Sequence, residues 1–273
     1  MTLTRSLTSL GAALLAGLAL LTSCAPKPAA PFLDVQAAKA VWESFLAQGP
    51  TAQAFELSGS MNLTTPQKSA RVLLRFRGDL EGTLRLDMAS GTGTTFAMWR
   101  EGPDGWLAVY PMANQAFSHP DTRAALGRLG LPLPFNLRDL AALLTGRYAW
   151  VLPPIYKTVK VIPGGYEYAM PAGSRLASVT LDFAGNPVHL AGKGVQPWSV
   201  ELSDFSPPEQ YGRPLAQKMN LTTPGGTTAL LRVKKLELLP ERLPEQSLDL
   251  PLPPTVKLVP LDKSGEVRTP DLP

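Results

Sequence analysis

The sequence predicts a mainly β protein of the α+β type, in which an antiparallel sheet is accompanied by a few helices. Two long stretches, about 55–118 and 166–239, alternate apolar and polar residues with a period of two. Short segments with helical spacing precede and separate these stretches. Glycine, proline, asparagine or aspartate stands at the joints between alternating segments, as expected of a meander with one face packed on a core and one face in water.

The N-terminus predicts a secreted, lipid-anchored protein. Residues 1–23 combine Arg5 with a run of leucine, alanine and glycine, which is typical of a signal peptide, and the segment from Leu21 to Cys24 has the form of a bacterial lipobox. Cleavage between Ser23 and Cys24 would leave the chain's one cysteine available for a thioether-linked diacylglycerol and an N-acyl chain such as palmitate. The apolar run is shorter than the roughly 18 residues of a membrane-spanning helix.

Residues 24–33 form a predicted lipidated N-terminus and a stiff Pro-Ala linker. Gram-negative sorting associates an aspartate directly after the lipidated cysteine with retention in the inner membrane. Ala25 and Pro26 follow Cys24 instead, so we expect the protein on the periplasmic face of the outer membrane.

The predicted main domain, residues 34–239, opens with a helix. Asp34 is a suitable N-cap, and Gly49-Pro50 ends the helical spacing. One apolar stripe follows this helix, formed by Val35, Ala38, Val41, Trp42, Phe45 and Leu46.

Within the first meander, alternation predicts which side chains share the core face. Arg71, Arg75 and Arg77 are expected on the opposite face. The residues predicted to face the core are Val72, Leu74 and Phe76, then Leu84, Leu86 and Met88, then Phe96 with Met98, and finally Trp106, Ala108 and Tyr110.

Two short helices are predicted between the meanders. One begins at His119-Pro120-Asp121, and Asn136 and Gly146 bound the other. Their apolar positions are Ala125, Leu126 and Leu129 in the first and Leu137, Leu140, Ala141 and Leu144 in the second. The later strands are predicted at 166–170, 175–183, 188–192, 198–205, 215–222 and 227–239.

Two further sequence features stand apart from this pattern. Residues 240–273 form a Pro-rich C-terminal extension that cannot lie inside a sheet. The sequence MNLTTP occurs at both 61–66 and 219–224, which indicates either convergent turn chemistry or a decayed duplication.

The composition argues against several functional classes. Removing Arg5 leaves a balance of +3, which is too small and too scattered for nucleic-acid binding and compatible with a modest attraction to anionic lipid. His119 and His189 lie in no catalytic or metal-binding motif, and the Glu101/Asp104 pair is expected to solvate a turn. We therefore expect no enzymatic activity, no metal and no cofactor beyond the acyl groups on Cys24.

Sequence periodicity leaves two arrangements open: helices that pack flush on the sheet, or a curved sheet with an apolar cavity beneath a helical lid. The order of elements resembles that of LolB, the outer-membrane lipoprotein receptor, and its relatives with a LolA-type half-open β-barrel. The resemblance covers about residues 34–239 and is most specific at Pro134-Phe135-Asn136-Leu137-Arg138. It is also carried by residues 55–59, 84–86, 139–146, 198–205 and 214–236.

The resemblance implies a single curved sheet that forms a half-open barrel under the N-terminal and two central helices. It also implies an acyl-binding cavity, a LolA-like periplasmic carrier as partner, and a role in lipoprotein reception. The implied cavity residues are Leu74, Phe76, Leu84, Leu86, Phe96, Met98 and Trp106. The implied helical lid contains Leu126, Leu129, Leu137, Leu140 and Leu144.

One departure from the family concerns membrane insertion. The family carries an exposed leucine in a loop between early strands, whereas Gly91, Thr92 and Gly93 occupy the matching turn here, with Thr92 at the leucine position. The missing apolar wedge and the Pro-rich extension leave a second function open, that of a structural or docking lipoprotein in an envelope assembly or secretion complex.

Overall fold

The computed structural model describes residues 34–130, 134–194 and 197–263. Ser23, Cys24 and the linker predicted from the sequence lie outside these residues. The helices are α1 (Val35–Ala47), α2 (Thr122–Arg128), α3 (Leu137–Thr145), α4 (Pro208–Tyr211) and α5 (Glu245–Leu248). The strands are β1 (Ala54–Thr64), β2 (Ser69–Asp79), β3 (Leu84–Ser90), β4 (Thr95–Gly102), β5 (Gly105–Tyr110), β6 (Gln115–His119), β7 (Thr158–Ile162), β8 (Gly165–Ala169), β9 (Leu176–Asp182), β10 (Pro187–Gly192), β11 (Ser199–Phe205), β12 (Ala216–Thr222), β13 (Thr228–Leu239) and β14 (Lys257–Pro260).

All the described strands belong to one 14-stranded sheet. Its order is β14-β6-β5-β4-β3-β2-β1-β13-β12-β11-β10-β9-β8-β7, so the two meanders meet where β1 pairs with β13. Neighbouring strands are antiparallel except for the parallel pair β14 and β6. The sheet is curved and keeps free edges, and the prediction of a half-open barrel with few helices is confirmed.

The predicted caps explain where the covering helices begin. Asp34 accepts a hydrogen bond from the Ala37 N–H at 3.0 Å, and Asp121 accepts one from the Ala124 N–H at 2.7 Å. Asn136 and Asp139 form a reciprocal capping box at the start of α3. Gly146 ends α3 with a φ of 79°, a conformation in which a β-carbon is strained.

Aromatic packing and one buried arginine hold α1 against the sheet. Trp42 packs on Tyr168 of β8, whose hydroxyl donates a hydrogen bond to the Ala38 carbonyl at 2.7 Å. Arg213 is buried and donates to the carbonyls of Phe45, Gln48 and Gly146. Its guanidinium therefore binds the C-terminal ends of α1 and α3 together, where helix carbonyls lack intrahelical partners.

The predicted strands of the second meander agree with β8–β13 to within about one residue at each end. The prediction missed β7, which follows a proline-containing loop and contributes only five residues at one edge of the sheet. Edge strands bury little apolar surface, so their sequences carry a weak alternation signal.

The C-terminal extension packs on the outer face of the sheet. Residue Leu243 donates its N–H to Asp79, and Leu250 packs with Val109 and Ala116. Strand β14 then pairs with β6 at the sheet edge, and Leu261 is fully buried in the main core. This placement agrees with the expectation that a Pro-rich segment stays out of the sheet interior.

The two MNLTTP copies lie on β1 and β12, the two strands that flank β13. Met61 of β1 and Met219 of β12 both face Leu231, and Thr64 and Thr222 both face Thr228. The shared sequence therefore corresponds to a shared register, and both turns fall at the same end of the sheet. Within the described ranges, no helix is long and apolar enough to cross a membrane.

Candidate functional site

The inner wall predicted from the sequence is an apolar surface of strands β2–β5. Six of its seven residues are buried in one continuous core, namely Leu74, Phe76, Leu84, Leu86, Phe96 and Trp106. The helices cover this wall with Leu126, Leu129, Leu137 and Leu144, all buried in the same core, and with the partly buried Leu140. Apart from Met98, the predicted wall and lid residues therefore belong to one packed interior.

The expectation that Phe96 and Met98 share a face is wrong. A β-bulge places Met88 opposite Ala97 and Ala89 opposite Thr95, so Phe96 is the extra residue. The alternation is consequently reset, and Ala97 and Trp99 point into the core. Met98 lies on the outer face, where it packs beside Leu250 of the C-terminal extension.

The interior is filled by side chains in this structure, since the six wall residues in the core are each at most 6% exposed. Two surface concavities lie away from the wall residues. One, of about 270 Å³, lies beside Pro50, Tyr211 and Leu238. The other, of about 490 Å³, is an open cleft beside Glu81, Arg138 and Trp150. An acyl chain would therefore have to displace the covering helices to reach the wall.

A buried carboxylate connects these helices to each other and to the sheet. Asp139 of α3 accepts hydrogen bonds from Arg123 of α2 at 2.5 Å and from two nitrogens of Arg175, just before β9, at 3.1 Å each. Burial raises the pKa of Asp139, but the hydrogen bonds from Arg175 and Arg123 outweigh it and hold the pKa below its ordinary value. We call Asp139, Arg123 and Arg175 the latch.

A second carboxylate supports the same helices from the sheet. Glu101 of β4 is buried and accepts a hydrogen bond from the Leu137 N–H, at the first residue of α3, at 2.8 Å. Burial raises the pKa of Glu101, opposed by hydrogen bonds from Leu137 and Thr122. The expectation that Glu101 solvates a turn is therefore wrong. Asp104 does lie exposed, and it pairs with Arg100.

Buried polar atoms without partners lie on the inner wall below α2. Within the described structure, the indole nitrogens of Trp99 and Trp106 and the hydroxyl of Tyr110 form no hydrogen bond. Burial raises the pKa of Tyr110 to about 12, opposed by the Trp99 indole, which lies close to the hydroxyl but outside regular hydrogen-bond geometry. These atoms give an otherwise apolar wall three groups able to donate to a carbonyl or carboxylate oxygen.

The turn matched to the family's membrane-insertion loop is polar and exposed. Gly91, Thr92 and Gly93 connect β3 to β4, and the Thr92 hydroxyl lies 2.7 Å from that of Ser90. Its side chains offer no apolar surface for insertion into a bilayer. No group of three or more His, Cys, Asp or Glu side chains that could hold a metal occurs among the residues that the structure describes.

Sequence reasoning missed the latch, Glu101 and Trp99. Asp139, Arg123 and Arg175 are separated along the chain and meet only after α2 and α3 fold onto the sheet. The capping-box spacing of Asn136 and Asp139 was a signal for a helix start, but it did not indicate the arginines. Trp99 was hidden by the bulge, which reverses the alternation after Phe96.

Comparison with known proteins supports the fold assignment. No protein-family model matches the chain, and no curated protein matches it. A LolA superfamily protein from Nitrosomonas europaea is 10% identical with a TM-score of 0.55, over 78% of this chain and 97% of that one. A putative outer membrane lipoprotein-sorting protein domain from Vibrio parahaemolyticus is 14% identical with a TM-score of 0.50, over 79% and 94%. The chain therefore has the fold of LolA superfamily proteins.

Proposed function

We propose that this protein is a periplasmic lipoprotein, anchored to the outer membrane through Cys24, that binds the acyl chains of lipids or lipoproteins under its helical cover. The observation that carries the proposal is the apolar inner wall of a LolA-type sheet, covered by α2 and α3 and joined to them by the latch. More specifically, we propose that it receives lipoproteins from a LolA-like carrier, as LolB does.

The energetics of acyl binding are compatible with a packed resting state. Transfer of a chain of about 16 carbons from water contributes up to roughly 13 kcal/mol before ordering costs. Helices α2 and α3 are short, and polar contacts from Asp139 and Glu101 help to position them. Displacing them is therefore a smaller rearrangement than opening the 14-stranded sheet.

The unpartnered donors support a ligand that is not purely hydrocarbon. Trp99, Trp106 and Tyr110 could donate to an ester, amide or carboxylate oxygen at one end of an acyl chain. Burying a donor without a partner costs about 1–3 kcal/mol, so a ligand oxygen would relieve a cost that the unliganded protein carries. We infer binding and not catalysis: His189 lies on β10, away from this wall, and His119, the cross-strand partner of Trp106, accepts a hydrogen bond from the Asp121 N–H through its Nδ1.

Acyl binding is tested by extracting lipid from protein purified from native membranes and by titrating the protein with a fluorescent fatty acid. We expect co-purified lipid and saturable binding that palmitate competes away. A protein that carries no lipid and binds no probe, both as wild type and with the latch broken by Asp139→Asn, would overturn the proposal. Anchoring is tested separately: Cys24→Ala should release the protein from the outer-membrane fraction of a density gradient.

The packed interior favours a second candidate, a docking lipoprotein of an envelope assembly. The C-terminal extension packs on the protein's own sheet through β14 and Leu250. In this state its contact surface is bound to the sheet and not to a partner. Site-specific crosslinkers at 245–260 test whether it also contacts a partner. If these crosslinkers capture no partner protein in cells, the result would count against this function.

A further inference from the structure

The outer face of the sheet carries a cluster of cations at its centre. Arg71 and Arg75 come from β2, Lys218 from β12, and Arg232 and Lys234 from β13, and we call these five residues the basic outer face. All are exposed except the half-buried Lys218. In the part of the chain that the structure describes, none of the five forms an ion pair with a carboxylate.

The register brings these charges close together. Lys218 and Arg232 are direct cross-strand partners, and Arg232 faces Ser60 of β1 on its other side. Arg75 faces Ser58, which in turn faces Lys235. Neighbouring strands lie about 4.8 Å apart, so several positive charges fall within one Debye length of about 10 Å at 0.1 M salt.

This arrangement opposes sheet stability and therefore invites a functional explanation. Like charges directly opposite each other on one sheet face are destabilising. The carboxylates nearest the cluster are already shared with other cations: Asp87 faces Arg75 but pairs with Arg77 and Arg85, and Glu237 pairs with Lys235 at 2.6 Å. An anionic partner would relieve the repulsion that these carboxylates compensate only in part.

The surface has the character of a membrane-docking face and lacks the character of a protein interface. Protein interfaces centre on buried aromatic or aliphatic anchors and are depleted in lysine. Among the described residues, the exposed large apolar side chains are Val35, Met112, Trp150, Ile155, Phe183 and Leu258, and none of them lies on β1, β2, β12 or β13. Only the half-buried Leu73 and Leu230 lie among the cations, and a spread of cations without an exposed apolar anchor matches the additive attraction of basic groups to anionic lipid.

We propose that the basic outer face binds the anionic phospholipid head groups of the membrane to which the protein is anchored. A lipid anchor at Cys24 would keep the domain near the bilayer, because the nine residues between Cys24 and Asp34 span at most about 30 Å when fully extended. Docking in this way would fix the orientation of the domain. It requires no acyl chain in the interior, so it can fail or succeed independently of acyl binding.

The test measures vesicle binding by residues 25–273, which contain the compact unit from Asp34 onward and lack the acylated cysteine. Vesicles of phosphatidylethanolamine with phosphatidylglycerol are compared with vesicles of phosphatidylcholine. The patch variant is Arg75→Gln/Lys218→Gln/Arg232→Gln. The control variant, Lys39→Gln/Lys160→Gln/Lys257→Gln, has the same net charge but changes α1, β7 and β14. Thermal unfolding verifies that each variant is folded.

Each neutralised cation should weaken partitioning into the anionic vesicles about five-fold, so the patch variant should lose about 100-fold. The control variant should lose much less, and wild-type binding should fall as salt is added. Equal losses in the two variants, or no loss in either, would overturn the proposal. Wild-type protein that ignores the vesicles but binds a polyglutamate peptide through these residues would also overturn it, by assigning the face to an acidic protein.

Discussion

Breaking the latch should loosen the helical cover without disturbing the sheet. The perturbation is Asp139→Asn, which keeps the size of the side chain and one carbonyl oxygen but removes the charge that holds Arg123 and Arg175. Hydrogen bonds to charged groups contribute about 1.5–3 kcal/mol each when both partners are buried. Here Asp139 is 7% exposed, whereas Arg123 and Arg175 are 40% and 46% exposed and regain water when released.

We therefore expect Asp139→Asn to lower the free energy of unfolding by about 2 kcal/mol in total, after discounting for this solvation. In a domain of this size the loss corresponds to a fall in melting temperature of roughly 4–8 °C. Urea denaturation followed by tryptophan fluorescence measures the loss. If the proposed function is correct, the same variant should also take up a fluorescent fatty acid faster.

Asp104→Asn is the matched control, because Asp104 also binds an arginine but is 67% exposed and far less constrained. Its effect should stay below about 0.5 kcal/mol, as for other exposed ion pairs. The reasoning is refuted if Asp139→Asn costs no more than this control. Faster probe uptake in both variants would mean that the latch does not govern access to the wall.

Four further changes probe the same structure. Leu261→Ala should cost about 2–5 kcal/mol in urea unfolding, because this residue of the extension is fully buried in the main core; a loss below 1 kcal/mol would show that the extension contributes little. Arg213→Lys should cost about 2 kcal/mol, since an ammonium lacks the planar guanidinium that stacks on the Phe45 and Tyr148 rings while one of its nitrogens reaches the carbonyls, and an unchanged melting temperature would contradict that role. Tyr110→Phe should leave stability unchanged or raise it by up to about 1 kcal/mol while weakening fatty-acid binding, and a large destabilisation would reveal a hidden partner of the hydroxyl. Glu101→Gln should be more stable than wild type at pH 7, and calorimetry should show the difference shrinking as pH falls through the raised pKa towards about 4.3; a widening gap would contradict the raised pKa.

The pKa values of Asp139 and Glu101 shift in opposite directions, and these directions determine how the free energy of unfolding changes as pH falls. The pKa of Asp139 is lowered on folding, so its stabilisation is complete above the unfolded pKa and is lost as pH falls through the folded value. The pKa of Glu101 is raised, so protonating it stabilises the folded state between the folded and unfolded values. As pH falls, the destabilisation caused by the ionised Glu101 should therefore disappear before protonation of Asp139 breaks the latch.

The fold could be predicted from the sequence wherever local rules decide the outcome. Asp34, Asp121 and Asn136 act as N-caps within three residues of the amides they bind, so the starts of α1, α2 and α3 were predictable. Alternation predicted the inner wall correctly in β2, β3 and β5 and failed only in β4. There the bulge at Phe96 added one residue and exchanged the faces of Met98 and Trp99, because a shift of one position reverses the side chains that follow in the same strand.

For the candidate site, the sequence predicted which residues form the apolar surface but not how that surface is covered. Apolar alternation indicates which residues avoid water, but it does not distinguish a filled core from a cavity, and the structure shows the filled state. The latch depends on contacts between residues 16 and 36 positions apart, between Arg123 or Arg175 and Asp139, for which the sequence holds no local signal. The same holds for Arg213, whose carbonyl partners lie at the ends of α1 and α3, far from it along the chain.

A packed interior and an acyl-binding function are compatible if the closed state is only modestly preferred. A closed-to-open ratio of about 100 to 1 costs roughly 2.7 kcal/mol, which is small against the roughly 13 kcal/mol that a 16-carbon chain can contribute before ordering costs. The preference reduces apparent affinity by the same factor of about 100. If Asp139 supplies most of this preference, Asp139→Asn should raise the apparent affinity for a fatty acid while lowering stability. A variant that loses stability and affinity together would show that the latch shapes the binding wall itself, and the closed state would then be a core with no ligand to admit.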